Sequence, residues 1–221
     1  MSLSIMVLEA ASMVEHNRLT AMEIYRDLME EARMRIEGLE YLLSGTHGFG
    51  PGYVTEFGYL QLRFLAEIIA IASLVAHGDI PDIAGLRNQS EADLIVKKIT
   101  HHHPDFYPSP VRRERMGDGH VHLHDGPSDY LKKEELVQLV HIAGGKLHKG
   151  KLKNILRKNS SVQHKFPDIE QWLRKIINLL REHRIMFKDG SGFFYCALKD
   201  ETVCYRVNIV LAASNPAKTT T

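Results

Sequence analysis

The stretch from Gly58 to Gly78, GYLQLRFLAEIIAIASLVAHG, constrains this chain more than any other, because it reads as a helix apolar on nearly every side. A helix at a protein surface keeps a polar face, so a helix without one must be enclosed by other helices. Its two charges, Arg63 and Glu67, lie four residues apart and share one face, where they neutralise each other. The apolar run is broken by Glu67 and Ser73 and falls short of the ~20 continuous apolar residues that span a bilayer, so no membrane insertion is expected. With 44% hydrophobic residues in 221, the chain has enough apolar mass for a true core. The expected fold class is mainly α (α+β), a helical bundle with a small C-terminal antiparallel β-meander.

From Leu3 to Leu43 the pattern is one long helix, with Leu19, Met22, Leu28, Ile36, Leu39 and Leu42 among Glu and Arg, ending at Ser44. The glycine-rich loop SGTHGFGPG leads into the apolar helix, so an antiparallel hairpin follows. His77 falls in the last turn, where the helix dipole favours positive charge and a histidine commonly serves as a cap. Ser90 followed by Asp93 reads as the N-cap of a third helix, EADLIVKKITHH, which Pro104 ends. Residues 1–103 therefore form a long helical hairpin plus a third helix. The segment 104–128 is rich in Pro, Gly and His and reads as a long loop or an ordered insertion. Residues 129–212 read as a basic helical segment, with helices from about Leu131, from Leu147, and from a cap formed by Asp168 with Gln171. Its C-terminal β-hairpin or meander is built from RIMFK, FFYCAL and VCYRVNIVL, and it is expected to form one integrated domain with 1–103. The tail 213–221 is expected to be mobile.

The net charge of +1 conceals an uneven distribution: residues 1–90 carry six Arg, no Lys and twelve acids, whereas Lys146 to Lys188 carries twelve Lys or Arg against three acids. Such an excess draws phosphate or an acidic partner through a field that salt screens, or pairs with the acidic half of a second copy. Cys196 and Cys204 are expected on opposite faces of two paired strands, with Cys196 facing Tyr205, as buried free thiols. The N-terminus shows no export leader, so cytoplasmic residence is expected.

The segment VHIAGGKLHKG concentrates what a phosphodiester site needs. His141 and His148 can exchange protons near neutral pH, Gly144 and Gly145 permit a tight backbone, and Lys146 and Lys149 can neutralise an anion. A histidine pair could deprotonate a ribose 2′-hydroxyl and protonate the leaving oxygen, cleaving RNA with no metal or other cofactor. A second candidate is the histidine-rich middle. His120, His122 and His124 alternate and would point to one side of an extended segment, where with Asp118 or Asp125 they could ligate zinc, nickel or copper. A third is a winged-helix-like DNA-binding module built from the basic helices and the terminal hairpin.

The combination of LRFLAEIIAIASLVAHGD, LHKG, HHHPDFYP and the terminal hairpin resembles an uncharacterised family of bacterial helical proteins across most of residues 20–210. More distantly, two long helices followed by a helix ending in a polar, His-containing turn are similar to the HEPN superfamily, dimeric bundles that include metal-independent ribonucleases. The motif of that superfamily is an Arg followed at short spacing by His. Here His141 to His148 fits the spacing with His in the Arg position, and Arg157 to His164 and Arg115 to His120 also match. The resemblance implies an RNA-interacting protein, a ribonuclease of a defence or toxin system, working as a homodimer. In that reading His141 and His148 are acid and base, and Lys146, Lys149, Lys151, Lys153 and Arg157 contact nucleic acid. The alternative is a non-catalytic module that binds DNA or a partner protein through the same basic half.

Overall fold

A computed structural model describes residues 3–77, 91–117, 120–147 and 166–213, with side chains from residue 17 onward. Along the chain run α1 (Leu3–Leu43), α2 (Pro51–Ala76), α3 (Ala92–His102), β1 (Ser109–Arg115), β2 (Val121–Asp125), α4 (Lys133–Leu147), α5 (Pro167–Leu180), β3 (Glu182–Met186), β4 (Gly192–Asp200) and β5 (Arg206–Ala213). The helices cover one face of a single antiparallel sheet of order β2-β1-β3-β4-β5.

The apolar helix is where its composition requires it to be. α2 packs against α1, α3, α4 and α5, and Leu62, Leu65, Ala66 and Ile69 are fully enclosed. Each large side chain so buried stabilises the fold by roughly 1.5–3 kcal/mol. By length and composition alone α2 could cross a membrane, but 67% of its most apolar window is buried inside the fold. Arg63 Nε donates to Glu67 at 2.8 Å, the expected intrahelical neutralisation. Ser73 is also satisfied within the helix, its hydroxyl donating to the Ile69 carbonyl at 2.8 Å. Gly58 sits at the α2–α5 crossing, where a Cβ would come within 2.8 Å of Ile169 Cδ1, so the missing side chain lets the two helices close.

The core continues from the helices onto the sheet through Ile185, Phe194, Cys196, Leu198 and Val207. Two buried polar pairs stitch this layer. His183, with no exposed surface, donates from Nδ1 to the Leu180 carbonyl at 3.0 Å, which leaves Nε2 to accept from the Tyr25 hydroxyl at 2.7 Å. His77 donates from Nε2 to the Phe106 carbonyl at 3.1 Å and meets the His103 ring edge-on. Burial pushes both the His77 and His183 imidazoles down to about 4, so both are neutral struts. His77 is the C-cap of α2, as its position suggested, but desolvation overrides the dipole that would have favoured its charge.

One open reading is resolved, 104–128 being the ordered insertion of its two alternatives, and three local expectations are corrected. The segment 104–128 holds the β1–β2 hairpin, which joins the C-terminal strands through Ser109↔Arg184 and Pro110↔His183. Pro110 is tolerated because it lies near the start of its strand, and Gly126 follows because a Cβ there would be 2.7 Å from the Pro110 carbonyl carbon. The sheet is therefore a meander extended by a mid-chain hairpin. Of the corrections, first, Cys196 faces Ile209, not Tyr205. The 3-10 turn Glu201–Val203 and the left-handed Cys204 and Tyr205 (φ 56° and 60°) lengthen the connection and leave the Cys204 thiol exposed. Second, the N-cap of α5 is Phe166 with Pro167 in the first turn, and Asp168 lies inside the helix. Third, α4 runs straight through Gly144 and Gly145 to Leu147. Two glycines cost a helix roughly 2 kcal/mol relative to alanine, and burial of Leu136, Leu139 and Ala143, on the helix that packs against α2, offsets it. The Ser90 cap and the helix expected from Leu147 onward fall outside the described residues, apart from Leu147 itself.

Candidate functional site

Where α2, α4 and α5 converge, they leave a cleft of about 250 Å³ lined by Tyr59, Glu135, Ile142, Lys146, Asp168, Gln171, Trp172 and Lys175. Each helix contributes by its period. Gln171, Trp172 and Lys175 follow Asp168 by three, four and seven residues along one face of α5. Glu135, Ile142 and Lys146 lie along one face of α4 by the same rule. Tyr59 projects from α2 beside the Gly58 crossing and is 3% exposed.

The cleft combines amines with aromatic faces. Lys146 Nζ lies 5.6 Å from the Tyr59 ring centroid, and Lys175 Nζ lies 6.0 Å from that of Trp172. Lys175 is also held by Glu135, with a longer contact to Asp129 at 3.7 Å. Burial alone would push the Glu135 carboxyl up, but the Lys175 amine and the Lys132 amide hold it below the ordinary carboxylate range. Lys175 is correspondingly raised, first by its hydrogen bond to Glu135. Desolvation, helped by the Asp168 carboxylate, raises the Tyr59 hydroxyl and keeps it protonated. Lys146 and Asp168 make no ion pair with another described residue, so this amine and this carboxylate are the groups the cleft offers to a ligand.

The expected site residues are only partly brought together. Lys146 is on the cleft wall, while His141 is exposed on α4 and absent from the lining. Its position is about 165° around the helix from Leu136, Leu139 and Ala143 taken together, facing solvent. His148, Lys149, Lys151, Lys153, Arg157 and His164 lie outside the described residues. His120 and the β2 residues His122 and His124 are exposed, and His124 pairs with Glu114 at 2.7 Å. Among the described residues no group of three or more His, Cys, Asp or Glu is placed to hold a metal ion. The preceding histidines are divided: His103 is buried with its Nε2 on the Met186 carbonyl at 3.2 Å, while His101 packs edge-on against His102.

Glu135, Gln171, Trp172 and Lys175 were not legible as site residues. Trp172 reads as part of an apolar stripe, and the signal that could have separated it is the polar face Asp168, Gln171, Lys175 on either side. No family model, curated protein or solved structure matches the chain.

Proposed function

We propose that this is an RNA-binding protein of HEPN-like type, which holds single-stranded RNA at the cleft between α2, α4 and α5. The observation that carries the reading is the pairing of cationic amines with aromatic faces, Lys146 on Tyr59 and Lys175 on Trp172. Single-stranded nucleic acid is gripped by this combination, amines on phosphate and rings against bases. Lys146, which makes no ion pair with another described residue, is the phosphate contact, Trp172 the stacking surface, and the Gln171 amide a donor and acceptor for a base edge. Charge supports the same location. Residues 148–165 contain six Lys or Arg and no acid, and this stretch joins the chain just after Lys146 and just before Asp168, both of which line the cleft. Lys149, Lys151, Lys153 and Arg157 would extend the phosphate track from there. In the ribonuclease form of the proposal His141 and His148 act as acid and base. The outward position of His141 favours holding RNA over cutting it.

The sole tryptophan of the chain, Trp172, makes the test direct. Titration with oligouridine should quench its fluorescence, with an affinity that falls by about 0.7 power of salt for each phosphate neutralised, and Lys146→Gln should lower both affinity and slope. Unchanged fluorescence, or a tighter complex with duplex DNA than with oligouridine, refutes the RNA reading. Incubation with mixed RNA in EDTA decides the finer point. Cleavage lost in both His141→Ala and His148→Ala supports the histidine pair, and intact RNA with wild-type protein leaves binding alone.

A further inference from the structure

At the N-terminal end of α2 five rings form an unbroken ladder on the surface. Tyr41 at the end of α1 meets His47 at 6.2 Å, His47 stacks on Phe49 at 5.0 Å, Phe49 meets Tyr53 at 4.7 Å, and Tyr53 stacks on Phe57 at 5.8 Å with planes 7° apart. Tyr41, Phe49 and Tyr53 are 60%, 53% and 50% exposed, whereas His47 and Phe57 are half-buried beneath them. The ladder is braced from beneath. Gly45 and Gly48, both at positive φ, fold the loop back. His47 then donates from Nε2 to the Leu42 carbonyl at the end of α1 and accepts the Phe49 amide on Nδ1 at 3.0 Å. That imidazole fixes the angle of the rings on either side of it. A contiguous exposed aromatic surface held in one geometry is preorganised to bind.

Charge identifies what it takes. Between Arg35 and Arg63 there is no Lys or Arg, but there are Glu37, Glu40 and Glu56. Glu37 is engaged by Arg33 and Lys199. Glu40 and Glu56 are exposed and make no ion pair with another described residue. Phosphate is repelled by such a surface, and so is an anionic lipid. Guanidinium groups suit it doubly, because they stack flat on aromatic rings and pair with carboxylates through their edges, which a lysine ammonium does less well. We propose that the ladder Tyr41–His47–Phe49–Tyr53–Phe57 is a docking surface for an arginine-bearing peptide segment of a partner protein, with Glu40 and Glu56 as counter-charges. None of these rings lines the α2–α4–α5 cleft, and the proposal stands or falls without the RNA reading.

A fluorescently labelled Arg-Gly-Gly repeat peptide titrated into the full chain tests the proposal by anisotropy. The double variant Phe49→Ala, Tyr53→Ala, which removes side chains at least half exposed, should weaken binding at least about tenfold. Glu40→Gln with Glu56→Gln, and a peptide with Lys in place of every Arg, should each weaken it several-fold while leaving circular dichroism unchanged. Absence of binding at millimolar peptide overturns the proposal, as does equal affinity for the Arg and Lys peptides. It is also overturned if the ring variant leaves peptide binding intact but abolishes oligouridine binding, which would make the ladder a base-stacking platform, or abolishes self-association, which would make it an interface between copies.

Discussion

Lowering the pH from 7 to 5 should remove a large part of the stability of this protein, and the two neutral struts His77 and His183 set the amount. Both imidazoles have an ordinary value of 6.5 and are pushed down to about 4 by burial. A base with a depressed folded value stays neutral in the fold while the unfolded chain takes up a proton, so stability falls as pH drops below 6.5 and the loss is complete near 4. With those values, each histidine contributes a loss of about 2 kcal/mol between pH 7 and pH 5, roughly 4 kcal/mol for the pair. That is comparable with the whole stability of a marginal domain, ~5–15 kcal/mol. Carboxylates do not obscure the window. Asp189 is lowered to about 2, chiefly by Ser191 and Arg18 acting against burial, and Asp200 lower still, so the stability they confer is lost mainly below pH ~4. Urea unfolding at constant ionic strength, followed by circular dichroism from pH 7.5 to 5.0, measures the slope, and His183→Gln should reduce it by about half while lowering stability at pH 7 because Tyr25 loses its acceptor. A flat profile in the wild type, or an unchanged slope in His183→Gln, would refute the argument that these rings are held neutral by burial.

Two further substitutions probe features that the sequence and the fold present differently. Gly144 lies inside α4 with no positive φ and with nothing within 4 Å of the point where an alanine Cβ would stand, so Gly144→Ala should stabilise by up to about 1 kcal/mol, measured as a raised urea midpoint; a lowered midpoint would show that the helix bends there. Asp200, 1% exposed, accepts from Arg113 at 2.6 Å, from Asn208 at 3.2 Å and from the Thr202 amide at 2.9 Å. Asp200→Ala should therefore cost roughly 2–4 kcal/mol and loosen the β4–β5 connection, seen as faster amide exchange at Thr202 and Cys204; an effect under about 1 kcal/mol would mean that water replaces the carboxylate without loss.

Much of the helical layer was legible because burial leaves a periodic trace. α2 had no polar face to spare, and it is enclosed; α5 carried a stripe of Ile169, Trp172, Leu173, Ile176, Ile177 and Leu180, of which Trp172 and Ile177 are half-buried and the other four buried. The β1–β2 hairpin was harder to see because His122, His124, Arg112 and Glu114 are exposed at the sheet edge, so the pleat left no apolar alternation. Pro108, Pro110 and the glycines around it then read as loop. The β4–β5 register was misplaced for a different reason: the extra turn depends on Cys204 and Tyr205 adopting left-handed backbone, which neither residue type advertises. The cleft was the least legible feature. Its walls come from three helices far apart in sequence, and whether Trp172 is core or lining depends on how far α4 stands from α5, a distance no local pattern encodes.

The enclosure of α2 also has a consequence for synthesis. Of the four helices that cover α2, only α1 is translated before it, and α3, α4 and α5 follow. Until α5 has been made, the nascent protein therefore displays a greasy rod long enough to attract a chaperone or a targeting factor. Only when the α5 codons have been read can that surface be withdrawn from competition.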